Sequence, residues 1–198
     1  MSIWFLRRKK RRTKGTINCY VTEKAKIEKM ETEVIVEKIK DALEKSVKKE
    51  IVFLCVGTDR STGDSLGPLV GTMLKEKTIP YDVYGTLEQP VHALNLEEMI
   101  QNIYKKYENP LIFGIDACLG EKQRVGLILF EETPFIPGKA LNKGFSEVGD
   151  VHLRAIVNYL DPLTPAQTLN NTRLYTVINL AKTITDIICL SIQSKRIE

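Results

Sequence analysis

Paired cysteines, clustered histidines and internal repeats are what this chain most lacks. The four cysteines among its 198 residues, Cys19, Cys55, Cys118 and Cys189, show no spacing of the zinc or redox kind. Three of them sit in apolar runs, where a thiol serves as a small hydrophobe. No disulfide framework is therefore expected, and reduced thiols fit a cytoplasmic protein better than a secreted one. The two histidines, His92 and His152, are isolated from one another, and two isolated histidines do not make a metal site. No cofactor or metal is expected from these residues. A secretory signal is also missing, because the apolar start MSIWFL precedes the charged run RRKKRR and is too short. It is too short to span a bilayer as well.

What is present is an ordinary globular composition, 43% hydrophobic and 27% charged, which excludes collagen-like, disordered and multi-span membrane classes. The length suits one domain with a full core and is short for two. The net charge of +4 is concentrated in the segment from Arg7 to Arg12 and in Lys14. Without those seven cations, 22 basic residues face 25 acidic ones, so the body is slightly acidic. Residues 1–20 read as a basic flexible extension, and residues 21–198 as a single α/β domain. Six adjacent cations beside Trp4, Phe5 and Leu6 suit weak contact with an anionic membrane surface, nonspecific contact with nucleic acid, or simple solvation.

The order of strand and helix signals predicts a three-layer α/β/α sandwich with a mostly parallel sheet. Ile27, Met30, Ile35, Ile39, Leu43 and Val47 recur at roughly helical spacing before Lys49. IVFLCVG, 51–57, is a continuous apolar run suited to a central strand covered on both faces. Pro68 fits a first helical turn, and YDVYGTLE, 81–88, alternates like a strand. Asn95 and Glu98 resemble a capping box ahead of a helix carrying Leu96, Met99, Ile100, Ile103, Tyr104 and Tyr107. LIFGIDACLG, 111–120, predicts a second long strand, and VGLILFEE, 125–132, a strand joined to it by a link short enough to favour an antiparallel neighbour. Residues 133–150 read as an irregular loop. Asp150 is expected to cap a helix carrying Leu153, Ile156, Val157 and Leu160, ended by DPLTP. A last helix is expected from about Thr172 to Ser194.

Two of the expected strands each deliver an aspartate near the carboxyl end, where an open α/β sheet collects its reacting groups. These are Asp64, in TGDSLGP, and Asp116, in GIDA. An aspartate in a G-D-S sequence is commonly a helix cap or turn residue. Asp116, however, follows an apolar run and would be costly to bury without a partner. If the two approach closely, repulsion leaves one ionised to activate water and one protonated to donate, which suits amide hydrolysis; if they stand farther apart, they could share a divalent cation with a third ligand. Glu88, Arg173 and Lys139 are candidates for substrate contact. Gly63-Asp64-Ser65-Leu66 also matches the letters of a serine-esterase signature, but Ser65 stands well beyond Gly57, and Asp150-Val151-His152 has the wrong spacing to supply a base. Cys118 has no indicated histidine to activate it.

The blocks Thr62–Pro68, Ile115–Ala117, Pro137–Ala140, Val148–Asp150 and Asn171–Leu174 together resemble the YyaC-type family, over roughly residues 50–192. That resemblance implies a sporulation role and kinship with the germination protease that degrades small acid-soluble spore proteins. It implies a more distant kinship with hydrogenase maturation endopeptidases. In the germination protease the positions matching Asp64 and Asp116 are the supposed catalytic pair. In the maturation endopeptidases the same positions help bind nickel of the substrate precursor together with a histidine, where this chain has Ser146; Thr58 stands where the germination protease has asparagine. The resemblance thus implies an aspartate-dependent peptidase acting on a protein or peptide, in the mother cell or forespore cytoplasm. The alternative is a noncatalytic sporulation factor that binds a partner through the same crevice or the basic tail.

Overall fold

The computed structural model describes residues 17–20, 29–48, 50–136 and 147–193. Arg7 to Arg12, Lys139 and Ser146 lie outside the described residues. The architecture is the expected α/β sandwich with a mostly parallel sheet, built among the described residues by six strands: β1 Ile17–Tyr20, β2 Ile51–Cys55, β3 Asp82–Tyr84, β4 Leu111–Gly120, β5 Leu127–Glu131 and β6 Val151–Tyr159. Their order across the sheet is β1-β5-β6-β4-β2-β3. Neighbours β3, β2, β4 and β6 pair in parallel, and β5 alone runs against the rest. The helices are α1 Lys29–Lys45, α2 Leu66–Glu76, α3 Leu96–Lys106, α4 Pro165–Asn170 and α5 Leu174–Gln193.

Alternation along β2 and β4 sends residues to two different cores. Ile51, Phe53 and Cys55 join Leu111, Phe113 and Ile115 under α1, α2 and α5. Val52, Leu54 and Ile112 face the other way, toward Leu96 and Ile103 of α3. Burial of both faces explains why these strands read as continuous apolar runs. α1 contributes Ile35, Ile39 and Leu43 as its buried stripe, whereas Val47, past the helix end, is 93% exposed. α5 contains a stretch, Leu174–Ile192, long and apolar enough to cross a membrane by length and composition; half of it is buried against α1, α2 and the sheet.

Five expectations are corrected. Residues 151–159 form strand β6 rather than a capped helix. Val151, Leu153, Ala155 and Val157 alternate into the α1/α2/α5 core, and the β-branched residues on a pleated surface prevail over an equally readable helical spacing. Asp150 is not a helix cap. Its carboxylate accepts from Ile112 N–H at 2.9 Å and pairs with Lys48 at 2.6 Å, tying the start of β6 to the start of β4. β5 does run opposite to β4 but is not its neighbour, because β6 is inserted between them. Ile17–Tyr20, read as the end of the extension, pairs with β5 as an edge strand. At α3 no capping box forms: Asn95 Oδ1 instead accepts from His92 N–H.

Candidate active site at the carboxyl ends of β2 and β4

β2 ends at Cys55, and the chain continues alongside β4, with Val56 N–H donating to Ile115 O at 2.8 Å. Asp116 is the next residue of β4, so it emerges beside the exit of β2. Residues 58–62 loop out, and a short 3-10 turn, Gly63–Ser65, brings the chain back. The Asp64 carbonyl then accepts from Thr58 N–H at 3.1 Å. Gly57 makes this return possible. Its φ of +147° is strained for a side-chain-bearing residue, and a Cβ there would stand 2.0 Å from Asp64 O. The same local geometry thus fastens Asp64 to the end of β2, next to the strand that carries Asp116.

The structure brings Asp64 and Asp116 to the same end of the sheet, at adjacent strands. Asp64 is half-buried and Asp116 is 4% exposed. Asp64 does not cap α2: Ser65 occupies the cap position, and neither helix start carries a side-chain cap bond. The β4–β6 register slips between Cys118 and Leu119, just after Asp116. Such irregularities are common where a strand re-aims side chains at a site.

Arg173 stands immediately before α5, its carbonyl accepting from Thr176 N–H at 3.1 Å. It approaches the Asp64 turn through its neighbour, since a Cβ on Gly63 would lie 2.9 Å from Thr172 Oγ1 and 2.8 Å from Leu169 O. Asp64, Asp116 and Arg173 each have an interaction partner. Between the end of β6 and the starts of α4 and α5 opens a cleft of about 590 Å3, lined by Asn158, Thr164, Gln167, Asn171, Arg173 and Thr176 among others. Tyr159, Leu160, Leu163, Leu174 and Tyr175, on β6, the loop after it and α5, are exposed. Glu88 is exposed on the turn after β3, one strand farther from β4 than β2 is.

The competing nucleophiles are poorly placed. Ser65 is buried and its Oγ donates to Thr62 O at 2.7 Å, while the Asp150 of the esterase-like pattern is committed to Lys48 and Ile112. Burial pushes the Cys118 thiol up to about 12, so it is not a thiolate near neutrality, and Sγ contacts Ala155 O. Among the described residues no group of three or more His, Cys, Asp and Glu is arranged to hold a metal ion.

Sequence reasoning missed a second set of polar residues on the Asp116 face. Arg154 of β6 is in register with Asp116, and its Nη2 donates to Glu131 Oε2 of β5 at 2.7 Å. His152, expected in a helical first turn, is 1% exposed under the Phe135 ring. Its Nδ1 lies 2.7 Å from Thr133 O, an acceptor, so a neutral ring donates its one proton either there or to the carboxylate on its other side. Nε2 faces Glu131 Oε2 at 2.8 Å. Burial lowers the His152 pKa, and the Arg154 charge acts in the same direction. The missed signal was the alternation of β6, which puts His152 and Arg154 on one face.

Comparison with known proteins fits this architecture. Residues 21–187 match the profile of a family described as "Protein of unknown function (DUF1256)". The chain is 44% identical over 149 residues to "Uncharacterized protein YyaC" of Bacillus subtilis (strain 168), covering 75% of this chain and 72% of that protein. Among solved structures it is similar in fold to a [NiFe] hydrogenase maturation protease HycI from Thermococcus kodakarensis KOD1, with a TM-score of 0.54 and 19% identity, over 79% of this chain and 99% of that one. The chain therefore belongs to the DUF1256 family, of the YyaC type, on a fold shared with a hydrogenase maturation protease.

Proposed function

We propose that this protein is a peptidase in which Asp64 and Asp116 hydrolyse a peptide bond with water. The observation that carries the reading is the return of the Gly63–Ser65 turn onto the exit of β2, beside Asp116. In the reaction the ionised member of the pair takes a proton from water as the water oxygen attacks the scissile carbonyl carbon. The protonated member gives its proton to the amide nitrogen as the C–N bond breaks, leaving a carboxylic acid and an amine. Arg173 and the cleft beside it would hold the polypeptide. A polar floor with exposed Tyr159, Leu163, Leu174 and Tyr175 near it suits an extended chain more than a small solute. Lys139 and Glu88 remain candidate substrate contacts.

The substrate proposed is a spore protein, processed in the cytoplasm of the mother cell or forespore of a spore-forming bacterium, with Arg7 to Arg12 available to anionic membrane or nucleic acid. One observation favours the alternative of a noncatalytic sporulation factor binding a partner in the same crevice: Asp116 is nearly closed off from solvent. The test is incubation of the purified protein with small acid-soluble spore proteins, beside Asp64→Asn and Asp116→Asn. Cleavage abolished in both variants supports the peptidase reading. Cleavage that persists in both overturns the proposed mechanism, and tight binding without cleavage by the unaltered protein selects the alternative.

A further inference from the structure

The polar face of the sheet contains an ordered sequence of charges that runs across three strands into Asp116. Arg154 lies on β6, the strand between β4 and β5. On one side it is in register with Asp116 of β4, on the same face; on the other its guanidinium is held by Glu131 of β5 at 2.7 Å. Glu131 is itself confined, with His152 Nε2 at 2.8 Å from the same oxygen. The ring behind it is fixed by the Thr133 carbonyl and by Phe135, which occupies the space that a side chain on Gly114 would fill. Such a supported arginine is orientationally restricted, and a restricted cation beside a nearly buried carboxylate favours its charged form.

We propose that Arg154, oriented by Glu131, is a positioning residue that keeps Asp116 ionised and fixed in direction. This rests on the reading of Asp116 as one of the reacting carboxylates. Two neighbouring titratable groups on this face do not supply the same effect. His152, beside Arg154 on β6, is neutral near pH 7, as is the Cys118 thiol of β4 itself. Arg124, from the 3-10 turn before β5, interacts with Cys118 farther along β4. Arg173 stands immediately before α5, outside the β4–β6 register. With Asp116 nearly buried and the Glu131 carboxylate on the same face, removal of Arg154 leaves Asp116 in a site that disfavours its charge.

The experiment follows the Asp116 carboxyl carbon by 13C NMR through a pH titration, assigned against Asp116→Asn, in the full chain and in Arg154→Met, Arg154→Lys and Glu131→Gln. The expected result is an upward displacement of the Asp116 midpoint by about one unit in Arg154→Met, a smaller one in Glu131→Gln, and near-restoration in Arg154→Lys. An unchanged midpoint in folded Arg154→Met overturns the proposal. If Arg154→Met does not fold, an unchanged midpoint in Glu131→Gln overturns it instead. The cleavage assay separates the two readings. A displaced midpoint in a protein that cleaves nothing retains Arg154's role and removes the peptidase. Cleavage by Arg154→Met with the unaltered pH profile removes the role and retains the peptidase.

Discussion

The two faces of the sheet are made by the same strands yet differ in kind. Phe113 and Ile115 of β4 enter a dry core closed by three helices, while Gly114 and Asp116, their immediate neighbours, face a thinner layer of α3, Phe135 and charged side chains. A strand alternates its side chains with period two, so one residue of displacement separates a packing position from a polar one. The difference teaches that stability and chemistry are partitioned by parity along one strand. The apolar face can be optimised for packing, and the polar face is free to retain groups that packing alone would eliminate.

The largest expected effect comes from breaking the dry face. Phe113→Ala removes a fully buried ring that stacks near Phe53 and Phe130, and is expected to cost about 3–5 kcal/mol in chemical denaturation. A loss as small as that of an exposed substitution would undo the contrast between faces. Next is Gly67→Ala, at the point where α2 touches the strand that precedes it. The new Cβ would stand 2.1 Å from the Val56 carbonyl, so α2 must move. A loss of roughly 1–3 kcal/mol is expected, with the cleavage proposed above reduced alongside because the Asp64 turn immediately precedes α2.

Asp150→Ala would strip the Ile112 N–H of its side-chain acceptor and Lys48 of its carboxylate, leaving Lys48 the Pro110 carbonyl alone among its hydrogen-bond partners in the described residues. Its expected cost is about 1–3 kcal/mol by the same denaturation measurement. A null effect would mean that the tie between β4 and β6 is made by the ladder alone.

Acidification should report on the polar face. Burial holds the folded His152 pKa below 6.5, so the unfolded chain binds that proton first as pH falls. Stability contributed by the neutral ring is present above pH 6.5 and is lost below it. Burial raises the Glu131 carboxyl, but the Arg154 charge and then His152 outweigh it, and the net pKa lies below 4.5. That contribution is also lost on the acid side, at lower pH. The denaturation midpoint is therefore expected to begin falling near pH 6.5, and His152→Gln should remove that first decline while leaving the later one. An unaltered acid profile in His152→Gln would reject the assignment. Smallest of all, Lys106→Ala removes an exposed pair with Asp82 and a cation–π contact with Tyr107, and is expected to leave the thermal midpoint within error.

Much of this was legible in residue order. The central strands were readable because burial on both faces demands unbroken apolar runs, and α1, α3 and α5 because their apolar positions repeat at helical spacing. Asp64 and Asp116 were readable as candidates because each is a charged residue near the carboxyl end of such a strand. The region from 150 to 160 was not. Its apolar residues satisfy both the helical and the strand period, and local propensity does not distinguish them. Asp150 looked like a helix cap because aspartate before an apolar run commonly is one, and its actual acceptor role depends on Ile112 and Lys48, which lie far away in sequence.

The amino-acid order by itself determined the layered α/β class, the buried stripes and the pair of acids, since each follows from periodicity or from the cost of charge among apolar neighbours. Tertiary structure alone decided that β6 separates β4 from β5, and so that Arg154 stands between Asp116 and Glu131. Strand adjacency is a long-range pairing whose free energy comes from partners distant in the chain, and no local pattern carries that information.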